Sequence, residues 1–312
     1  MTSLPPRFAE LPTVAIVTAL PKEFAAVVAT FDTTIEFSED GDPNDYRIGV
    51  IEDGAFGRQY FPIALLKKMG NNSAAASARD ILRTFRAVRN LIMVGIAGGV
   101  PHPHDPENHV RLGDIVVAAK RGVVQFDNQK LSNGVAEIRD SSPIPSSEIV
   151  GITNQIRADE VLGSRPWLDY LNAVLETLGE HRPSEELDVL HSTSDESVVI
   201  PHPKRSDADV SVPKVHYGLI GSSNTLLKDA KARDALRDDQ RILAIEMEGS
   251  GIADGAWTSG AGYMIVRGIC DYADQFKRDV WQMYAASVAA SFARCIVQRV
   301  VVRSRNSYKK KA

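Results

Sequence analysis

At 312 residues, with 44% hydrophobic and 24% charged side chains, the chain can bury a sizeable α/β core, as an ordinary soluble globular protein does. A net charge of −4 excludes a nucleic-acid binder held by overall electrostatics, and no apolar run nears the ~20 residues that a membrane span needs. Two cysteines, Cys270 and Cys295, lack metal-type spacing and point to a reducing, cytoplasmic compartment, and the N-terminus has neither the basic nor the apolar region of a signal peptide.

In chain order, residues 14–20 are a short apolar run ending at Pro21, which suits the first position of a helix over 22–31. Strands are predicted over 46–52 and 60–66, joined by a hairpin-type turn at Asp53-Gly54. Asn72 or Ser73 offers an N-cap for an alanine-rich helix to about residue 85. The same Gly70-Asn71-Asn72-Ser73 turn suits an anion or a polar ribose, which makes Asn72 and Ser73 candidate substrate contacts as well as simple caps. Residues 91–96 and 114–119 read as further apolar strands. The first ends in Ala97-Gly98-Gly99, which lacks G-x-G-x-x-G spacing and opens no helix, so no dinucleotide cofactor is expected. It is either a turn that brings backbone close to a small ligand or a tight turn alone.

His102, His104 and His109 occupy a proline-rich loop with irregular spacing. They read as solvated loop histidines; no metal and no other cofactor is assigned. The middle is less regular: 133–147 is rich in Ser, Pro and charge, 167–178 looks helical, and 182–213 reads as a polar insertion or lid. Order returns with a strand over 216–221, a helix over 228–238 and a C-terminal helix from about 280 to 302. A basic tail over 303–312 is expected to be disordered. Strands alternating with helices predict an α/β fold of three layers, with a central twisted, mostly parallel or mixed sheet flanked by helices. One catalytic domain over 12–302 is expected, with no internal repeat.

Two segments carry the chemistry. Ile245-Glu246-Met247-Glu248 and Val266-Arg267-Gly268-Ile269-Cys270-Asp271 set acids beside or inside apolar runs. An ionised carboxylate there is costly unless the fold or a ligand pairs with it. Glu23, Glu248 and Asp271 each follow or end a strand-like run, and ligands of open α/β sheets gather at the carboxyl ends of strands. Arg267 shares a strand face with Asp271 and either joins the site or pairs with one of the acids. The set suits cleavage of an N-glycosidic bond. Glu248 would accept the ribose hydroxyls and stabilise developing positive charge. Asp271, protonated by burial, would donate to the purine N7, and Glu23 would orient or deprotonate a water.

These motifs resemble the nucleoside phosphorylase / methylthioadenosine–adenosylhomocysteine nucleosidase superfamily, and within it the immune-type branch. The resemblance spans roughly 14–298. It rests on the 14–23 and 71–76 segments, Met93-Val-Gly-Ile-Ala-Gly-Gly-Val-Pro101, 110–117, 123–127, 216–220, Ile245-Glu-Met-Glu248 and Val266-Arg-Gly-Ile-Cys-Asp-Tyr-Ala-Asp274. It implies a nucleoside phosphorylase-like fold, with Asp271 facing the purine N7, Met247 and Glu248 binding the ribose and Arg267 nearby. It further implies Ala97 and Gly98 beside base and sugar, Thr225 and Leu226 around the purine, and Glu23 orienting water. Hydrolases of the family often place an aromatic where Thr225 and Leu226 stand, and this chain departs from that. Phosphorylases often use an arginine in the first loop, absent from 19–24, which favours hydrolysis.

The resemblance therefore implies a purine N-ribosyl hydrolase of adenine nucleosides or nucleotides, ATP among them, acting as an antiviral-defence effector. A phosphate-dependent purine nucleoside phosphorylase, a methylthioadenosine/adenosylhomocysteine nucleosidase and a nucleotide-binding regulatory module without turnover are the alternatives. A triphosphate would draw cations from Lys228, Lys120, Arg121 or Lys204-Arg205. The partners implied are a small-molecule purine, further copies of the chain in a homo-oligomer meeting across the 72–85 helix, and an upstream sensor protein, since no sensor domain is fused; nucleic acid and membrane are not among them.

Overall fold

Apolar, β-branched runs bounded by turn residues set the strands, and a computed structural model describes residues 8–53, 57–139, 142–205 and 211–309. The strands are β1 (Val14–Thr18), β2 (Thr33–Ser38), β3 (Asp45–Asp53), β4 (Gly57–Leu65), β5 (Asn90–Gly99), β6 (Ile115–Gln125), β7 (Gln129–Ser132), β8 (Val135–Ile138), β9 (Leu190–His191), β10 (Val199–Ile200), β11 (Val215–Ser222), β12 (Ile242–Glu246) and β13 (Gly262–Asp271). The helices are α1 (Pro21–Ala29), α2 (Asn71–Thr84), α3 (Ser147–Val161), α4 (Trp167–Leu178), α5 (Ala230–Gln240), α6 (Gly249–Thr258) and α7 (Gln282–Lys309).

Among the described residues one nine-stranded mixed sheet runs β12-β11-β6-β13-β5-β1-β4-β3-β2, flanked by helices. β1 pairs parallel with β4 and β5, and β13 pairs parallel with β5. The end of β12 also returns to pair antiparallel with β5, Ala244 against Gly99 and Ile245 against Gly98. That closure matters most for the site: it draws the carboxyl ends of β5, β12 and β13 to one place, beside the β1–α1 turn.

α2 packs on α6 through small residues. Gly251 faces the Asn71 carbonyl so closely that a Cβ there would collide with it, and Gly255 lies on Ala75 and Ala78. The small-residue face of α2 is therefore spent inside the chain, which removes it as the expected contact between copies. α2 also starts one residue early: Gly70, at φ 108°, is its N-cap, and neither Asn72 nor Ser73 caps it.

Other expectations need correction. β2, the β7–β8 hairpin and α3 form where no element was predicted, because short or evenly amphipathic runs give little periodic signal. The tip of the β3–β4 hairpin, with Gly54, lies outside the described residues. The expected tail is helical as far as Lys309, since no Gly or Pro follows residue 268 to interrupt α7; residues 310–312 lie outside the description. The polar stretch from 182 is no loose lid in its described part. Asp188 accepts Arg111 Nε at 2.8 Å and the Tyr272 hydroxyl at 2.6 Å, and Arg205 Nη1 reaches buried Asp114 at 2.9 Å. His109 is likewise buried, with Nε2 2.9 Å from His202 Nδ1, because its loop folds under this segment. No helix among the described residues is long and apolar enough to cross a membrane.

Candidate active site

Where the strand ends meet lies a cavity of about 450 Å³ lined mainly by apolar side chains with a few acids. Glu23, Ala97, Gly98, Thr225, Leu226, Met247, Glu248 and Asp271, all expected from sequence, line it together. Each is placed by local structure. Glu23 is the third residue of α1, where a Glu turns back to the free N–H groups of the helix start. Its Oε2 accepts the Ala19 and Leu20 N–H at 2.8 and 2.9 Å, and Oε1 accepts the Ile96 N–H at 2.8 Å. Burial pushes the Glu23 carboxyl above its usual range, offset in part by Arg267 and those N–H groups.

Glu246 was quoted in the sequence motif but assigned no role. It ends β12 and caps α6, accepting the Glu248 N–H at 3.0 Å and the Gly249 N–H at 2.8 Å. It also takes an ion pair from Arg267, which sits 3.4 Å from Glu248 Oε2 and 4.0 Å from Glu23 Oε1. Arg267 is wholly buried and does not line the cavity. It therefore pairs with the acids from beneath instead of touching a ligand, the second of its two readings. Gly95 makes room for it, because a Cβ there would strike both the guanidinium and the Glu23 carboxylate.

One cation thus serves three carboxylates. Burial, despite Arg267, pushes Glu248 up to about 7. Glu248 Oε1 accepts the Gly70 N–H at 3.1 Å. The 70–73 turn does support the site, but through other residues than those expected. Asn71 Oδ1 takes the Gly251 N–H and the Ser222 hydroxyl, both at 2.9 Å, whereas Asn72 is exposed and neither it nor Ser73 lines the cavity. Their side chains point away because α2 begins before them.

A bulge at the end of β13 turns Asp271 toward Gly98. Asp271 Oδ1 accepts the Ala273 N–H at 2.9 Å, and Lys277 Nζ stands 2.9 Å from Oδ2. Lys277 therefore stands beside the carboxyl that was expected to act with burial alone around it. Thr225 and Leu226 lie on a loop held by the Asp127 carboxylate, which accepts the Asn224 N–H at 2.8 Å. Among the described residues the lining includes no aromatic side chain.

The expected cations are elsewhere. Lys228 lines a separate cavity, Arg121 is exposed and donates to the Gln240 carbonyl, Lys204 is exposed, and Arg205 pairs with Asp114; the Lys120 side chain lies outside the description. Lys22 and Lys277 line the site instead, Lys22 bonded to Gln282 at the start of α7. Sequence reading passed over both because a lone lysine in a turn looks like solvated surface.

The family model described as "Phosphorylase superfamily" matches residues 13–300. A nucleotide-binding leucine-rich repeat (NLR)-like protein of Hyaloscypha variabilis is 32% identical over 301 residues, 89% of this chain and 28% of that protein. The ATP nucleosidase Cap17 of Escherichia coli is 24% identical over 307 residues, 94% of this chain and 52% of that one. The chain thus spans between about a quarter and a half of these relatives. Among solved structures, a 5'-methylthioadenosine/S-adenosylhomocysteine nucleosidase of Helicobacter pylori superposes with a TM-score of 0.63 at 16% identity, covering 93% of this chain and 99% of that one.

Proposed function

Because the chain belongs to the phosphorylase superfamily and gathers Glu23, Glu248 and Asp271 on one cavity, we propose that it is a purine N-ribosyl hydrolase. The observation that carries this reading is the convergence of the three acids around a ligand-sized space, with only one buried arginine behind two of them. Bond cleavage places positive charge on the ribose. Glu248 accepts the sugar hydroxyls and stabilises that charge, with Arg267 and the Gly70 N–H fixing its carboxylate. Glu23, held by three backbone donors, orients the water and takes its proton. Asp271 faces N7, so that the base leaves neutral.

Hydrolysis is favoured over phosphorolysis by charge. A phosphate dianion at the sugar carbon would lie against Glu23 and Glu248, whose carboxylates repel it. The favoured substrates are adenine nucleosides and nucleotides, ATP included: Lys22 supplies a cation at the cavity wall, and one relative bears the name ATP nucleosidase. In that reading residues 12–302 form the catalytic unit of a cytoplasmic defence effector, active as a homo-oligomer and triggered by a sensor, consistent with the NLR-like relative. The test is chromatography of free base and sugar after incubation with adenosine or ATP, with and without phosphate. Base and free ribose or ribose phosphate are expected without phosphate; strict phosphate dependence, or no base at all, refutes the reading.

A further inference from the structure

We propose that Lys277 is the source of the proton that the departing base receives, working through Asp271, so that the two residues form a relay. This rests on the reading of Asp271 as the group facing N7. Both Asp271 oxygens are already met by donors: Oδ1 by the Ala273 N–H at 2.9 Å, and Oδ2 by Lys277 Nζ at 2.9 Å and the Cys270 thiol at 3.1 Å. Of these donors only the lysine is open to solvent, from which a proton that it hands over can be replaced. The thiol is buried and has no such supply.

Lys277 is also placed to be recharged. Its side chain is 25% exposed against 3% for Asp271. It lines both the main cavity and a second one of about 270 Å³ behind Asp271. Proton traffic through that second cavity does not cross the substrate. The charged and titratable groups around Lys277 are Asp271 and Cys270 on β13, Asp274 and Arg278 in the following loop, Asp279, and, across the second cavity, Glu186 and His191. Burial works against the Lys277 charge, but Asp271 outweighs it and holds the ammonium above its usual range. The relay therefore stays loaded at neutral and mildly alkaline pH.

The step balances as follows. The ammonium gives a proton to Asp271, which gives one to N7, while the C1′–N9 bond breaks and its electron pair leaves with the base. Water adds to C1′ and releases a proton to Glu23. Lys277 then regains a proton from solvent and Glu23 loses one.

The test compares wild type, Lys277→Met and Lys277→Arg on adenosine and on an N7-methylated purine nucleoside, whose base departs without needing a proton, from pH 5 to pH 9. On adenosine at pH 8, Lys277→Met should turn over about 100-fold more slowly. Its deficit should shrink on acidification, as protons from solvent replace the one that the lysine supplied. Lys277→Arg should keep the ion pair and the unfolding midpoint yet share the deficit, because a guanidinium does not give up its proton. On the methylated substrate both variants should come within a few-fold of wild type. Full activity of either variant on adenosine overturns the relay. So does an equal loss on both substrates, or a loss confined to KM for 5′-phosphorylated substrates. Wild type that releases no base from any substrate instead overturns the hydrolase reading itself.

Discussion

The molecule buries two clusters of charge, and they are built on opposite principles. Beneath the 182–205 segment, Asp114 faces Arg205 and His216, and Asp188 faces Arg111 and the Tyr272 hydroxyl. Burial alone would raise both acids, but their partners outweigh it and hold Asp114 and Asp188 below the usual carboxylate range. At the cavity, one arginine is shared by Glu23, Glu246 and Glu248, and burial wins: Glu23 and Glu248 are pushed up. A charge satisfied inside the fold holds the chain together. A charge left in surplus is costly to fold and waits for something outside the chain to balance it, as a ribose turning cationic would. The two clusters thus differ in the direction in which burial and partners together move their acids.

Exchanging members of the two clusters should break their likeness most clearly. Glu248→Gln should slow base release by about 10²–10⁴ while leaving the unfolding midpoint near or above that of wild type. Asp114→Ala, at a residue that does not line the cavity, should do the reverse. It leaves Arg205 and His216 without their buried carboxylate, at a cost of about 3–5 kcal/mol in a denaturant titration. Turnover of the fraction that remains folded should be little changed. If Asp114→Ala costs under ~1 kcal/mol, or Glu248→Gln stays active, the division between the clusters fails.

The same division explains what could be read from the chain. Acids within apolar runs are a local signal, so Glu248 and Asp271 were visible, and the opening of α1 exposed Glu23. Positions set by closure of the sheet were not. That β12 returns to β5, so that Glu246 serves as a cap and Arg267 lies underneath, is a pairing between residues nearly 150 apart. Asn72 and Ser73 were misread by one helical start, because Gly70 takes a positive φ that sequence does not announce. Lys277 stayed hidden because its partner, six residues back, is reached only through the bulge after Ile269. The salt-bridged segment from 182 looked like a lid because its partners Arg111, Asp114 and Tyr272 are scattered along the chain.

The pH dependence of stability offers a finer measure of surplus charge. Glu248 has a folded pKa raised to about 7 against 4.5 for the free side chain, with burial as the main cause. Its contribution is therefore fully present below about 4.5 and is lost as pH rises through about 7, where the native state must carry the buried charge. Activity runs the other way, since the carboxylate is the form that accepts ribose hydroxyls, so kcat/KM should fall as pH drops below about 7. Asp114 and Asp188, held low, contribute stability above the ordinary carboxyl range and lose it only at more acidic pH. Glu248→Gln removes the surplus charge but keeps an oxygen for the Gly70 N–H. Thermal unfolding at pH 8 should then show the variant melting a few degrees above wild type, at about 2–4 °C per kcal/mol gained, with the difference closing toward pH 5. A variant no more stable at pH 8 than at pH 5, relative to wild type, would mean that Arg267 already balances Glu248 and that the cavity carries no surplus charge.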